Sequence, residues 1–192
     1  MVRHRRLHRY TYADYVGLEL TSPTKHEFLD GEIYAMAGGS EDHSALAAEV
    51  IRELGNGLTS KPCRVHTSDL RIYVEAFGLA TFPDGTVICG PLEQHEPSPE
   101  ATALNPTVLL EVTSDSSEEY DTGTKLDAYQ TIRSLRDYII VSHRERRITV
   151  HHRADDGTWS ARVAISGGRV AVPSAGVELD VDAVYRKSAV RS

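Results

Sequence analysis

The sequence predicts a mixed α/β fold with one central sheet. Residues 107–113 (TVLLEVT) form a continuous apolar and β-branched run, which is typical of a strand covered on both faces. Residues 137–142 (DYIIVS) form a second such run, and the helical pattern between the two implies a parallel strand–helix–strand unit. Residues 147–172 then carry short β patterns joined by Gly-containing turns. A mixed sheet flanked by helices, with extra C-terminal strands, accounts for all three observations.

The N-terminal elements are predicted from periodicity and turn chemistry. Residues 11–20 place apolar side chains at helical spacing. Asp30-Gly31 lies between the segments EFL and EIYAM, a pattern that favours a hairpin of two antiparallel strands within residues 26–37.

A long helix and further strands follow. Ser40 is a suitable N-cap for a helix whose apolar residues recur on one face from residue 46 to residue 58. We expect the remaining strands at residues 63–66, 69–75, 86–89, 147–152, 159–165 and 169–172, a surface loop at 92–105, a polar turn at 114–120 and a helix at 122–134.

Length and charge limit the classes of protein to consider. The 192 residues fit one domain, which we place at residues 11–186 between a basic tail at 1–10 and a short tail at 187–192. The chain has 21 Lys and Arg against 28 Asp and Glu, a net charge of −7, which argues against a surface that grips phosphate throughout. Residues 72–124 contain no Lys or Arg but ten carboxylates.

The sequence has no apolar stretch near the ~20 residues that a bilayer-spanning helix needs, and its N-terminus lacks the apolar region of a signal peptide. We therefore expect a cytoplasmic protein without membrane association. Cys63 and Cys89 are too few for a disulfide framework or a four-cysteine zinc site, so we expect both as small apolar residues in or near strands.

Glu111 does not fit a purely structural role. A carboxylate in a strand covered on both faces costs several kcal/mol unless it is paired or bound to a cation. The partner is either a Lys or Arg, or a metal ion shared with a second carboxylate. Asp84, just before the strand at 86–89, is the second candidate, and Lys125 is the only Lys between Lys61 and Lys187. Two carboxylates at neighbouring strand ends suit Mg²⁺, which can activate a water for attack on a phosphodiester.

Four segments, in order, resemble one family. The segments HEFLDGEIYAMAGGSEDH, FPD, PTVLLEVTSDSSEEYDTGTKLDAY and RDYIIVS resemble the Uma family of restriction-endonuclease-like proteins, within the PD-(D/E)XK nuclease superfamily. The resemblance covers roughly residues 12–185. Its most specific part is EV-x-S followed by an Asp and K-x-x-x-Y. It implies a restriction-endonuclease-like fold.

The resemblance also implies a site. By motif position, the site residues are Glu27, Asp84 and Glu111, with Mg²⁺ (or Mn²⁺) held by Asp84, Glu111 and the backbone carbonyl of Val112. The usual superfamily signature is Glu-x-Lys, whereas residue 113 is Thr. Lys125 would then supply the positive charge from the following helix.

Several residues near these motifs have ordinary structural interpretations. For Glu27 this is an ion pair with Lys25 or with a nearby Arg on the hairpin. His43 at the start of the long helix is more typical of a surface or capping residue. Asp121 either supports Lys125 or is a favourable charge at a helix N-terminus, and the sequence favours the latter. Tyr129 is more typical of core packing.

Three hypotheses follow. The first is an Mg²⁺-dependent endonuclease that hydrolyses DNA and acts as a homodimer, with Glu27, Asp84, Glu111 and Lys125 as the catalytic set. Phosphate contacts would come from Arg144, Arg146, Arg147 and Arg153 or from the N-terminal Arg cluster. The second is a catalytically inactive nuclease-fold module that binds DNA or regulates a partner, favoured by Thr113 and the net charge. The third, a zinc hydrolase using His43, His66 and His95, lacks any tight ligand spacing.

Overall fold

The structure is a computed structural model that describes residues 9–95 and 101–190. Most of the expected basic tail, Glu96 and Glu100 from the acidic stretch, and the last two residues of the expected C-terminal tail lie outside the described residues. Within the described ranges, no helix is long and apolar enough to cross a lipid bilayer.

The helices follow local capping signals. Thr11 and Asp14 form a capping box at the start of the first helix, and the Ser40 side chain accepts a hydrogen bond from the His43 backbone N–H at the start of the second. The helices are α1 (Tyr12–Glu19), α2 (Glu41–Gly57), α3 (Glu118–Thr122), α4 (Thr124–Gln130) and α5 (Val181–Val184). The predictions for α1 and α2 are therefore confirmed.

The described residues form three sheets. The strands are β1 (His26–Leu29), β2 (Glu32–Ala35), β3 (Cys63–Thr67), β4 (Arg71–Val74), β5 (Leu79–Thr81), β6 (Gly85–Cys89), β7 (Thr102–Ala103), β8 (Val108–Val112), β9 (Asp137–Val141), β10 (Arg147–Arg153), β11 (Trp159–Ile165), β12 (Arg169–Val172) and β13 (Val177–Asp180). Their orders are β11-β10-β9-β8-β6-β3, β2-β1-β5-β4-β7 and β12-β13.

The predicted parallel unit forms the centre of the six-stranded sheet. β8 and β9 pair in parallel, and all other pairs in this sheet are antiparallel. Val108 and Leu110 of β8 pack into one core and Leu109 into the core on the opposite face. Both faces of β8 are thus covered, as its continuous apolar sequence predicts.

The predicted hairpin is also present. Asp30 and Gly31 have φ angles of 45° and 87°, the left-handed values that a tight two-residue turn needs. β1 also pairs with β5, so the hairpin extends the second sheet and places Glu27 opposite Tyr34.

The structure differs from the sequence prediction where elements are short. β5, β13 and α5 were not predicted, and β7 lies within the expected loop at 92–105. The helix expected at 122–134 is shorter, α4 alone, and the polar turn expected at 114–120 leads into a separate helix, α3, which meets α4 at Gly123. A Cβ at Gly123 would lie 2.9 Å from the carbonyl oxygen of Glu119, so this junction requires glycine.

The expectation that Cys63 and Cys89 are unpaired was wrong. The two residues are register partners in the antiparallel pair β3–β6, and their sulfurs form a disulfide. The two cysteines are 26 residues apart and form no known motif, so the sequence contains no signal for this pairing. The register of β3 and β6 decides it.

Reducing this disulfide is expected to lower the free energy of unfolding by about 3 kcal/mol, because the bridge restricts a long loop in the unfolded chain. Urea denaturation with and without dithiothreitol measures the change. A Cys63→Ala/Cys89→Ala double variant is the control and should be insensitive to the reductant. Two reactive thiols in the non-reduced, unfolded wild type would contradict the bridge.

Candidate active site

All four side chains predicted for the site line one cleft of about 1120 Å³. Glu27 lies on β1, Asp84 directly precedes β6, Glu111 lies on β8, and Lys125 lies on α4. Strand register explains part of this grouping. Gly85 pairs with Leu110, so the residue before Gly85 and the residue after Leu110 face each other across the two strands.

Lys125 is the centre of the cluster. Its Nζ lies 3.0 Å from Glu27 Oε1, 3.0 Å from Glu111 Oε1 and 3.4 Å from Asp121 Oδ1. The side chain is only 5% exposed. Burial lowers the pKa of Lys125, but the carboxylates of Glu111, Glu27 and Asp121 more than offset this effect and hold the pKa well above its usual value. Lys125 is therefore a permanent cation and cannot serve as a base.

Glu111 is a buried carboxylate held from one side. Its Oε1 accepts hydrogen bonds from Lys125 Nζ at 3.0 Å and from the Tyr129 hydroxyl at 2.8 Å. Burial raises the pKa of Glu111 to about 8; Asp84 and Asp121 act in the same direction, while Lys125 and Tyr129 oppose the shift. Among the described residues, Oε1 accepts both hydrogen bonds of this carboxylate, so Oε2 is the oxygen available to ligate a cation.

Asp84 is fixed by backbone and by His43. Its Oδ2 accepts a hydrogen bond from the Val112 backbone N–H at 2.8 Å and lies 3.1 Å from His43 Nε2. The imidazole also hydrogen-bonds the backbone of Val112. The hydrogen bond to Asp84 raises the pKa of His43, although burial opposes it. His43, treated above as a surface or capping residue, thus contacts two of the three proposed metal ligands.

Glu27 is held by three neighbours. Its carboxylate receives hydrogen bonds from the hydroxyls of Thr81 and Tyr120 in addition to the contact with Lys125. Its side chain is largely buried. Thr81 and Tyr120 carried no signal in the sequence, since only the tertiary fold brings β5 and α3 next to β1.

Asp121 belongs to the site, contrary to the interpretation that the sequence favoured, whereas Tyr129 packs in the hydrophobic core as expected and also donates its hydroxyl to Glu111. The Asp121 side chain is 2% exposed and forms an ion pair with Lys125, and burial raises its pKa. The spacing of four residues from Lys125 to Tyr129 places these two side chains one turn apart on α4, a signal present in the sequence. Asp121 lies on α3 instead and reaches Lys125 across the junction at Gly123.

Thr113 occupies the position where the superfamily pattern has Lys. Its hydroxyl lies 2.8 Å from His143 Nδ1 and accepts a hydrogen bond from the His143 backbone N–H at 3.1 Å. Thr113 therefore links the ends of β8 and β9. The ammonium group next to Glu111 comes from α4 instead.

The donor chemistry of the cluster fits a hard divalent cation. Four carboxylates, from Glu27, Asp84, Glu111 and Asp121, face one lysine and one histidine. Asp121 Oδ1 is buried without a hydrogen bond among the described residues, although it lies near the Lys125 ammonium. Carboxylate and carbonyl oxygens are the ligands that Mg²⁺ prefers. The residues present thus fit the ion that the family resemblance implies.

The ion that the resemblance implies would depend on two carboxylates, those of Asp84 and Glu111, and on the Val112 carbonyl, since no three His, Cys, Asp or Glu side chains of the described residues are grouped for a metal ion. His43, His66 and His95 in particular are not grouped. The zinc hydrolase hypothesis therefore has no geometric basis.

The four later arginines considered as phosphate contacts have partners within the chain; of the N-terminal Arg cluster, Arg9 pairs with Asp30 and the rest lies outside the described residues. The contacts are Arg144 with Asp115 and Glu118, Arg146 with Asp182 and the Val190 carbonyl, Arg147 with Glu145, and Arg153 with the carbonyls of Ile132 and Arg133. Of these partners, Asp115 lines the cleft, so Arg144 contacts the edge of the cleft through it.

Comparison with known proteins gives consistent matches. The family model "Uma2: Putative restriction endonuclease" matches residues 12–183. The chain is 34% identical over 173 residues to the "Uncharacterized protein slr1290" of Synechocystis sp. PCC 6803, covering 90% of each chain. It is 28% identical over 149 residues to "Uncharacterized protein sll1609" of the same organism, covering 78% of this chain and 84% of the relative.

One solved structure shares the fold. The crystal structure of "a putative nuclease belonging to DUF820" from Anabaena variabilis superposes with a TM-score of 0.70 at 17% identity, over 90% of this chain and 97% of that chain. The expected restriction-endonuclease-like architecture is thereby confirmed.

Proposed function

The chain belongs to the Uma2 family of restriction-endonuclease-like proteins, and on this basis we propose that it is a metal-dependent endonuclease that hydrolyses DNA phosphodiester bonds. The observation that carries the proposal is that the buried Lys125 ammonium lies 3.0 Å from the Glu111 carboxylate. Its position supplies the charge that Thr113 cannot. It therefore favours an active enzyme over an inactive nuclease-fold module.

Each side chain has a part in the proposed reaction. Asp84, Glu111 and the Val112 carbonyl would hold Mg²⁺, or Mn²⁺ in its place. The bound ion would polarise the phosphodiester and lower the pKa of a water molecule for attack. Lys125 stabilises the negative charge that develops on the phosphoryl oxygens, since its raised pKa keeps it protonated.

The remaining residues position this set. Glu27 contacts Lys125 from the β1 side and orients the ammonium together with Asp121. His43 and the Val112 N–H fix the carboxylate of Asp84. Tyr129 fixes Glu111. A site whose ligands are oriented before the substrate arrives loses little entropy in the reaction.

The proposal includes DNA as substrate and a homodimer as the active form. A restriction-like domain carries one site, and a two-fold dimer presents two sites to the two strands of a duplex. With a net charge of −7, DNA binding depends on local contacts rather than on the charge of the whole surface.

Replacing Asp84 by Asn is expected to raise the Kd for Mg²⁺ by about ten-fold or more, because the neutral amide is a poorer ligand for a hard cation. Titration calorimetry with MgCl₂ on the wild type and on Asp84→Asn measures this change, and a plasmid-cleavage assay in the same buffer measures the activity.

Asp155→Asn is the matched control, since Asp155 is an exposed carboxylate outside the cleft that pairs with Arg136. It should bind Mg²⁺ and cleave DNA like the wild type. Mg²⁺ binding without cleavage by the wild type would support the inactive module instead. Absence of binding would leave Glu111 as the partner of Lys125 in an ordinary buried ion pair.

A further inference from the structure

One face of the hairpin β1–β2 presents more than Glu27 to the cleft. Glu27 and Tyr34 are register partners, and the Met36 backbone N–H donates to the Lys25 carbonyl at 2.9 Å, so the pairing extends one step beyond the strands. Because side chains alternate along a strand, Lys25, Glu27, Tyr34 and Met36 share this face. All four line the cleft.

Tyr34 is the exposed aromatic side chain of this face. It is 47% exposed, and of the large apolar side chains that are exposed among the described residues it is the one that lines the cleft. Its hydroxyl donates a hydrogen bond to Glu32, two residues earlier on the same strand. Glu32 therefore anchors the tip of the side chain while the ring remains accessible. Met36, half-buried, lies next along the same face.

The charged side chains that line the cleft favour a nucleic-acid contact that does not depend on phosphate charge. The basic side chains lining it, among the described residues, are Lys25, His43, Lys125 and His143, and the acidic ones are Glu27, Asp84, Glu111, Asp115 and Asp121. Lys25 already binds the Ser68 carbonyl and Asp69, each at 2.8 Å. Phosphate contacts alone therefore contribute little to the affinity for a nucleic-acid strand here.

We propose that Tyr34, with Met36 beside it, is a stacking platform for an unpaired nucleobase of the strand that is cleaved. This inference rests on the proposed nuclease function and narrows its substrate class to nucleic acid with single-stranded character at the site. A paired base within a duplex already has both faces covered by its neighbours, whereas an unpaired base offers a face to the ring. The cross-strand neighbour of Tyr34 is Glu27, so the stacked nucleotide lies next to the catalytic cluster.

Binding without metal tests the platform independently of cleavage. Fluorescence anisotropy in EDTA compares a labelled oligo(dT) of about 15 nucleotides, within the usual site size, with an abasic strand of equal length and charge. The wild type should bind oligo(dT) about ten-fold or more tightly than the abasic strand. Tyr34→Ala should lose this preference and bind both strands weakly, because stacking accounts for about ten-fold or more in Kd per base.

Two variants serve as controls. Tyr34→Phe keeps the ring and should retain the preference for oligo(dT), although it lacks the hydroxyl that binds Glu32. Tyr10→Ala removes a tyrosine of equal exposure, 47%, outside the cleft and should also retain it.

The outcomes separate the two proposals. An unchanged preference in Tyr34→Ala, or equal binding of both strands by the wild type, overturns the stacking platform and leaves the nuclease standing. Tighter binding of duplex than of oligo(dT) by the wild type also overturns the platform alone. Failure of the wild type to bind oligo(dT), the abasic strand or a duplex in EDTA overturns the platform, and the plasmid-cleavage assay in Mg²⁺ decides separately whether the DNA-cleaving function stands.

Discussion

Replacing Lys125 by Met is expected to lower the free energy of unfolding by about 3–5 kcal/mol, the usual cost of removing one partner of a buried ion pair. Lys125 lies among three carboxylates, and the side chains of all four residues are at most 12% exposed. Met keeps the length of the side chain and its apolar contacts but removes the charge. Glu27, Glu111 and Asp121 would then lie together without a counter-charge. Cleavage should also be lost, since the charge-stabilising group is gone.

The loss of stability should depend on pH. Without Lys125, the pKa values of Glu111 and Asp121, which burial already raises, rise further above their unfolded values, so the folded protein binds more protons than the unfolded chain. Its stability then falls as the pH rises through the folded pKa values and is recovered in acid. Urea denaturation of both proteins at about pH 5 and at about pH 9, above the pKa of about 8 for Glu111, measures the difference.

Lys61→Met is the matched control for this substitution. Lys61 donates a hydrogen bond to the Ala175 backbone carbonyl at 2.9 Å and lies in an exposed position. Its replacement should change the stability by less than about 1 kcal/mol. If Lys125→Met were as stable as the wild type at about pH 9, the cluster would not depend on the ammonium, and the roles given to Glu27 and Asp121 would be wrong.

The sequence could predict the parts of the fold in which one strong pattern decides the structure. β8 and β9 are continuous apolar runs, and α2 has one apolar face behind a Ser N-cap. Both patterns mark the residues that the tertiary structure buries, so the predicted elements form as expected. β5 and β13 have only three and four residues, too few for a period to appear, and they exist because neighbouring strands accept their hydrogen bonds.

The candidate site divides in the same way. Glu111 could be identified because it is a charge inside an apolar run, and Asp84 and Lys125 because the family motifs mark them. Thr81 and Tyr120 lie on separate elements, and their shared contact with Glu27 arises only when the hairpin packs against β5 and α3. The disulfide is a similar case, because strand register and not sequence spacing sets the partner of a cysteine.

Replacing Glu111 by Gln is expected to lower the cleavage rate by about 1000-fold or more, because a metal ligand supplies several kcal/mol of transition-state stabilisation. The same change should stabilise the metal-free protein at alkaline pH. Burial raises the pKa of Glu111 to about 8 from an ordinary value of 4.5. Between these values the folded state holds a proton that the unfolded chain has released, so the wild type loses stability as the pH rises, by up to about 1.4 kcal/mol per pH unit.

Glutamine cannot titrate, so Glu111→Gln should lack this decline, and its lead over the wild type should grow from about pH 4.5 to about pH 8. Its amide still accepts hydrogen bonds from Lys125 and Tyr129, and Lys125 retains Glu27 and Asp121 as partners, so the cluster stays paired. Melting temperatures across this range in EDTA and in Mg²⁺ measure both effects. Mg²⁺ should raise the melting temperature of the wild type alone. A loss of stability in EDTA, with an equal Mg²⁺ response in both proteins, would instead make Glu111 a structural ion-pair partner that takes no part in binding the metal.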